Sequence, residues 1–424
     1  MTKSKAMFIA GLFVAYMSVA VIGPGASSGA QIKELVVSAG NTDLVYCPVR
    51  LICETPTALA GIRSLRTADE NQRLPIQVQK TDRASLVTFI LPELKANQTL
   101  RLVPSKDSAA GDRVVVEKAA EDQIDIRIGN NLLTSYCYPS DSEKPYLYPV
   151  IGPKGTHLTR GYPMVDLDYE EELKAKDHPH HRSLWVAYGN VNGGDFWSMG
   201  RDPARRDTQK TDGILVSESG PVYGRLVAKN SWISKEGKRV VTERREYVFY
   251  NTPEENRVID SIVTFIATDG KVTFGDTKEG GICALRLNPK IDEKHGTGVM
   301  RNSEGGKGAG ECWGKRAEWC DYYGTLDGNV VGIAVLDHPR NLRHPTWWHI
   351  RDYGLYTANC FGLHDFDRSL RENRHAGDYV LEAGKSLTFR YRLLLHAGDT
   401  DQANVAHQYA AFASPPKATI VWAD

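Results

Sequence analysis

Alternation with a period of two dominates the hydrophobic pattern of this chain. Ile124-Asp125-Ile126-Arg127-Ile128 alternates residue by residue, which marks a strand with one wetted face. Longer runs follow over 224–231, 240–250, 258–266 and 387–395. They are rich in β-branched and aromatic residues, with charges at alternate sites, and predict large antiparallel sheets. Earlier, Ile76-Gln77-Val78 and the run from Leu86 to Leu91 sit between regularly spaced turn residues, as in a small β-sandwich. Helical periodicity is scarce. A short helix is predicted over 170–175, and a longer one over 401–412, opened by Thr400 or Asp401 and stopped by Pro415-Pro416. The expected fold class is all-β.

The first thirty residues read as an export leader. Lys3 and Lys5 precede an apolar run from Met7 to about Gly23, and small residues allow cleavage after Ala30. Gly25-Ala26-Ser27-Ser28-Gly29 spells a hydrolase elbow but lacks the strand–turn–helix setting it needs. The expected organisation is a signal peptide over 1–30, a small β-sandwich over 31–112 and a larger β domain over 113–424, ending in the helix. The polar stretch Lys106–Asp112 serves as linker. No later stretch is apolar for long enough to span a membrane, so a periplasmic or secreted chain is expected.

Charge removes one class of partner. The 52 basic and 52 acidic residues balance to a net charge of +0, and nucleic-acid binding needs a basic surface. The seven cysteines match no zinc spacing and are expected mostly as buried small hydrophobes. P-loop, dinucleotide, HExxH and EF-hand patterns are absent.

Candidate chemistry gathers in four places. Asp177-His178-Pro179-His180-His181-Arg182 packs five ionisable side chains into six residues. Pro179 pushes His178 towards extended geometry, so His178 and His180 are expected on one face and His181 on the other. Imidazoles exchange protons near neutral pH, and two on one face also make half a metal site. Downstream, Asn192 and Trp197 combine a hydrogen-bonding edge with an aromatic plate, which suits a sugar. The second cluster holds Asp276, Lys278 and Glu279, followed by Arg286. Its carboxylates suit a general base. The third places Lys315, Arg316 and Asp321 among Trp313, Trp319 and Tyr322. The fourth runs from Asp337 and His338 through Trp347-Trp348-His349-Ile350-Arg351 to His364.

These four clusters together resemble a secreted bacterial family that carries the label "methane oxygenase PmoA", over roughly residues 120 to 398. A methane site would be dry and apolar, whereas these clusters are polar. They are more similar to the galactose-mutarotase-like β-supersandwich proteins, which present His, Arg and a carboxylate to a sugar. That resemblance implies a carbohydrate or glycoside substrate. His180 or His181 would act as acid, Glu279 as base, and His349 as a second donor or clamp. Substrate-binding roles would fall to Arg182, Asn192, Trp197, Asp276, Arg286, Lys315, Trp348 and Arg351. Two alternatives remain: a divalent-metal oxygenase or lyase using His178, His180 and His349, and a non-catalytic carbohydrate-binding protein.

Overall fold

The computed structural model describes residues 30–67, 72–81, 84–198 and 206–423. The leader expected over residues 1–30 lies almost wholly outside them. The chain divides into two compact units, Met1–Gly111 with Ser414–Asp424, and Asp112–Ala413.

The first unit contains β1 (Ile32–Ser38), β2 (Leu44–Cys53), β3 (Ser64–Thr67), β4 (Arg73–Pro75), β5 (Gln77–Lys80), β6 (Ser85–Leu94) and β7 (Thr99–Ser105). A three-stranded sheet runs β2-β6-β5. A five-stranded sheet runs β1-β7-β3-β4 and is completed on the other side of β1 by the last strand of the chain, Lys417–Trp422. Leu35 and Leu65 of one sheet face Leu51 and Val87 of the other around a small apolar cavity. The C-terminal strand, expected in the larger domain, is thus hydrogen-bonded into this sheet.

The second unit is built from β8 (Val114–Ala120), β9 (Gln123–Ile128), β10 (Asn131–Cys137), β11 (Tyr146–Leu147), β12 (Leu184–Tyr188), β13 (Thr208–Glu218), β14 (Tyr223–Ile233), β15 (Arg239–Tyr250) and β16 (Asn256–Ile266). It continues with β17 (Val272–Phe274), β18 (Gly280–Arg286), β19 (Val299–Asn302), β20 (Trp319–Leu326), β21 (Asn329–Asp337), β22 (Trp347–Ile350), β23 (Leu355–Asn359), β24 (Tyr379–Leu381) and β25 (Ser386–Ala397). Two antiparallel eight-stranded sheets result. One has the order β22-β23-β18-β12-β11-β10-β9-β8, and the other β13-β14-β15-β16-β25-β21-β20-β19. They share a core in which Tyr136, Val186, Leu285 and Trp348 of the first sheet meet Trp232, Phe249, Val263 and Leu393 of the second. The all-β expectation is therefore met.

The long runs of alternating Val, Ile and aromatic residues become β14, β15, β16 and β25, because each can pack one face while wetting or hydrogen-bonding the other. The helices sit differently. The first is Asp168–Glu172, earlier than expected, since Lys174 adopts φ 54 and ends it. The last is Val405–Ala413. Thr400 does not cap it: its hydroxyl donates to Asp321 at 2.6 Å, and Asn404 at φ 53 interrupts the turn before it. Among the described residues, no helix is long and apolar enough to cross a membrane. Six cysteines are buried and Cys137 is half-buried.

Candidate functional site

Directly opposed residues on neighbouring strands lie side by side on one sheet face. The register pairs His349 with Thr357, Thr357 with Ala284, Ala284 with Trp185, Trp185 with Tyr146, and Tyr146 with Cys137. These residues form one row across six strands, on the face turned away from the shared core. Small side chains occupy its middle. A Cβ at Gly281 would lie 1.6 Å from Thr357 Oγ1, so only glycine fits there. Trp185 is packed with Tyr146, Ala187, Trp197, Ala284 and Leu355 in a satellite apolar cluster, with Tyr353 against it.

The three histidines rest on this cluster. His181 is buried and stacks on Trp185 at 5.4 Å. His178 stacks on His181 at 4.8 Å and on Tyr353 at 5.3 Å, with interplanar angles of 7° and 6°. His180 stands edge-on to His181 at 4.4 Å and to Trp197 at 6.2 Å. The expectation that His181 turns away from the other two is overturned: His178 lies against His181 and, at 5.6 Å, also against His180. His178 takes φ 43 instead of an extended conformation, and a tight turn donates His181 N–H to its carbonyl at 2.9 Å. A left-handed residue before proline costs about 1–3 kcal/mol, so the surroundings must hold it there.

The hold comes from Arg160, which is fully buried. Its guanidinium donates to Tyr162 O, Ala175 O, His178 O and Asp177 Oδ1, the last at 2.7 Å. Arg286 donates to the same Asp177 oxygen at 2.6 Å and lies over the Tyr353 ring at 4.6 Å. The other Asp177 oxygen is 3.0 Å from His178 Nδ1. Burial opposes ionisation of Asp177, but the His178 hydrogen bond and the two guanidinium charges win and hold its carboxyl well below the usual carboxylate range. Lys144 ties two loops together by donating to His180 O and Trp197 O at 2.9 and 3.0 Å. Burial, with help from the Arg182 charge, pushes its ammonium down to about 7.

The other two imidazoles of the cluster are driven towards the neutral form. Burial, then the Lys144 and His178 charges, lower His180 to about 3. His181 is driven in the same direction by burial, and its Nδ1 lies 3.2 Å from Arg286 Nη1. The guanidinium can only donate, so the His181 proton sits on Nε2.

His349 lies on the same sheet face, but both ring nitrogens are engaged. Nδ1–H donates to Lys278 O at 2.8 Å, and Nε2 accepts from Arg351 Nε at 3.2 Å. Burial lowers it to about 3. It therefore neither shuttles protons nor completes a metal set with His178 and His180. Among the described residues, no three His, Cys, Asp or Glu side chains are grouped to hold an ion.

Several other expected residues hold the structure together. Asp276 is a loop clamp, with Oδ2 accepting from His364 N and Gly377 N. Asn192 closes a turn at φ 51 by accepting from Thr273 N. Trp348 points into the shared core and donates to Ala317 O. Arg182 pairs with Glu143 at 2.6 Å. Lys315 is exposed beside the edge strand β22, and its carbonyl accepts from Trp348 N. Trp197 and Arg286 stand in the histidine cluster itself. Glu279 is paired with Lys278 at 3.2 Å, and its charge acts on the Tyr353 hydroxyl. That hydroxyl is pushed up chiefly by burial, against the charges of Arg351 and Arg286. Tyr353 thus joins the two ends of the site. Arg160 and Lys144 were missed in the sequence, whereas Asp177 and Tyr353 stood inside the first and fourth clusters without a role assigned to them.

A model of a family of unknown function, DUF6807, matches residues 123–410. No curated protein matches the chain. Among solved structures, a glycosyl hydrolase family 38 protein from Enterococcus faecalis matches at 8% identity and TM-score 0.39, over 92% of this chain and 47% of that one. An alpha-mannosidase from Enterococcus faecalis V583 matches at 9% identity and TM-score 0.39, over 92% and 46%. The chain spans about half the length of these two structures. The match over 123–410 covers most of the second unit, and the chain belongs to the DUF6807 family, whose function is unknown.

Proposed function

We propose that this chain is an exported carbohydrate-active enzyme that moves a proton to or from a sugar, with His178 as the proton carrier. The observation that carries the reading is the Asp177–His178 pair. The carboxylate takes Nδ1 at 3.0 Å, and the ring is stacked between His181 and Tyr353 while 42% of its side chain stays exposed. A carboxylate that orients an imidazole through Nδ1 leaves Nε2 to exchange the proton. His180 and His181 are held neutral by burial, so they act as hydrogen-bond partners and the acid–base role passes to His178. Glu279, whose charge acts on the Tyr353 hydroxyl, remains the second carboxylate.

One feature favours a polyhydroxylated ligand. Trp185 and Trp197 are 0% and 1% exposed and back the imidazoles from beneath. Their Nε1–H groups have no acceptor among the described residues, a polar demand that a hydroxyl-rich ligand reaching this face would meet. The bond broken decides between epimerase, lyase and hydrolase chemistry, and a panel of sugars and glycosides would read it. His178→Ala is expected to lower turnover by about 10²- to 10⁴-fold while leaving binding within a few-fold. A wild-type chain that binds sugars and converts none would instead make this a carbohydrate-binding protein.

A further inference from the structure

The end of the site beyond Tyr353 carries a guanidinium with no carboxylate partner among the described residues. Arg160 and Arg286 share Asp177, Arg182 pairs with Glu143, and Lys278 pairs with Glu279. Arg351 differs. Its Nε donates to His349 Nε2 at 3.2 Å, and its plane lies over the Trp313 ring at 5.2 Å. Among the described residues, neither Nη group is ion-paired with a carboxylate or hydrogen-bonded to an acceptor. His349 is only 2% exposed, and its Nδ1–H is committed to Lys278 O, so its Nε2 lone pair is left to orient the guanidinium. A buried imidazole and an indole plate thus fix the fork while its outer edge stays uncommitted. The Trp313 Nε1–H is also buried, with no acceptor among the described residues. Lys315 and Arg316 add positive charge along the same edge, with Arg316 over Trp347 at 4.6 Å. Of the nearby acids, Glu279 holds Lys278 Nζ, while Asp365 accepts from Lys278 N at 2.9 Å and lies 3.7 Å from His364 Nε2.

We propose that Arg351 is a carboxylate-reading subsite, and that the ligand of this face is an acidic sugar of the uronate class. Planar guanidinium and planar carboxylate match through two parallel hydrogen bonds, which a neutral hydroxymethyl group cannot reproduce. Arg351 and Tyr353 share one tight turn, closed by Gly354 N–H donating to Arg351 O at 3.1 Å, and the Tyr353 ring stacks on His178, so one bound sugar would meet both the fork and the imidazole. This inference rests on the sugar reading above.

The test is calorimetric binding of galacturonate, glucuronate, galactose, glucose and acetate to the full-length protein and to Arg351→Gln. The wild type is expected to bind uronates about 10- to 100-fold more tightly than the matching neutral sugars, the value of a charge-assisted bidentate contact. Arg351→Gln should erase that preference and leave neutral sugars within about two-fold. Acetate alone should bind too weakly to measure. Equal wild-type affinity for uronates and neutral sugars overturns the acidic-ligand inference and leaves the sugar reading standing, whether or not the variant folds. Binding of acetate as tightly as uronate overturns it as well, by making the site a bare anion site. No binding of any saccharide overturns both.

Discussion

Asp177 is the residue on which most of the site converges. One carboxylate oxygen takes two buried guanidinium groups, and the other takes His178. Asp177→Asn would keep the shape but strand two charges that are 0% and 1% exposed. Breaking a buried pair from one side costs about 3–5 kcal/mol, so urea unfolding should report a loss of that order, with turnover lost as well. Unchanged stability would mean that Arg160 is held by its backbone carbonyls alone.

The same site sets the response to pH. His180 and His349 sit near 3 in the folded chain, against an ordinary value near 6.5. Between those values the unfolded chain binds protons that the folded chain refuses. The contribution of these two imidazoles is therefore complete above about pH 6.5 and is lost as the pH falls through that window. The lowered Asp177 acts in the same direction further down, below the ordinary carboxylate range. Lys144, lowered from 10.5 to about 7, adds stability as the pH rises between those values. The thermal midpoint should fall steadily from pH 7 to 5, and His349→Gln should flatten part of that slope. A midpoint that is level or rising on acidification would contradict the burial of these imidazoles.

At the level of elements, strands were the legible part. The alternation over 240–250 and 258–266 comes close to the observed Arg239–Tyr250 and Asn256–Ile266, because period two is enforced by the pleat wherever one face is buried. Helix ends were less legible. They were decided by Lys174 and Asn404 in left-handed conformations and by Thr400 bonding Asp321, all consequences of tertiary neighbours. The charges in β15 also mislead. Glu243 and Arg245 read as wetted positions, yet both are fully buried, with Arg245 Nη2 donating to Glu243 at 2.8 Å and Trp232 Nε1 donating to Glu243 at 2.7 Å. Arg245→Met alone should cost about 3–5 kcal/mol by leaving Glu243 uncompensated, while the double change Glu243→Met with Arg245→Met should cost much less. A double-mutant cycle in urea checks this, and additive losses would show that the pair is not coupled.

At the scale of the whole molecule, the chain ends by returning to its first unit. Lys417–Trp422 pairs antiparallel with Ile32–Ser38, covering an edge that would otherwise be open. A chain ending at Ala413 should show faster hydrogen exchange across Ile32–Ser38, with exchange in the strands Asn256–Ile266 and Ser386–Ala397 unchanged. Equal protection in Ile32–Ser38 would mean that the neighbouring strand Thr99–Ser105 alone secures it. The site is also a whole-molecule property. Its residues come from 144, 160, 177–181, 185, 197, 279, 286 and 349–353, and one sheet face gathers them.

The sequence by itself determined the all-β class, the long strands of the second sheet and the unusual density of imidazole near residue 180, since these depend on local periodicity and composition. Only the tertiary structure decided which imidazole is oriented by a carboxylate and which are silenced by burial. Register places Trp185, Ala284 and His349 in one row, and burial sets a proton affinity that no isolated residue carries. Both are properties of strands distant in the chain brought together on one sheet face.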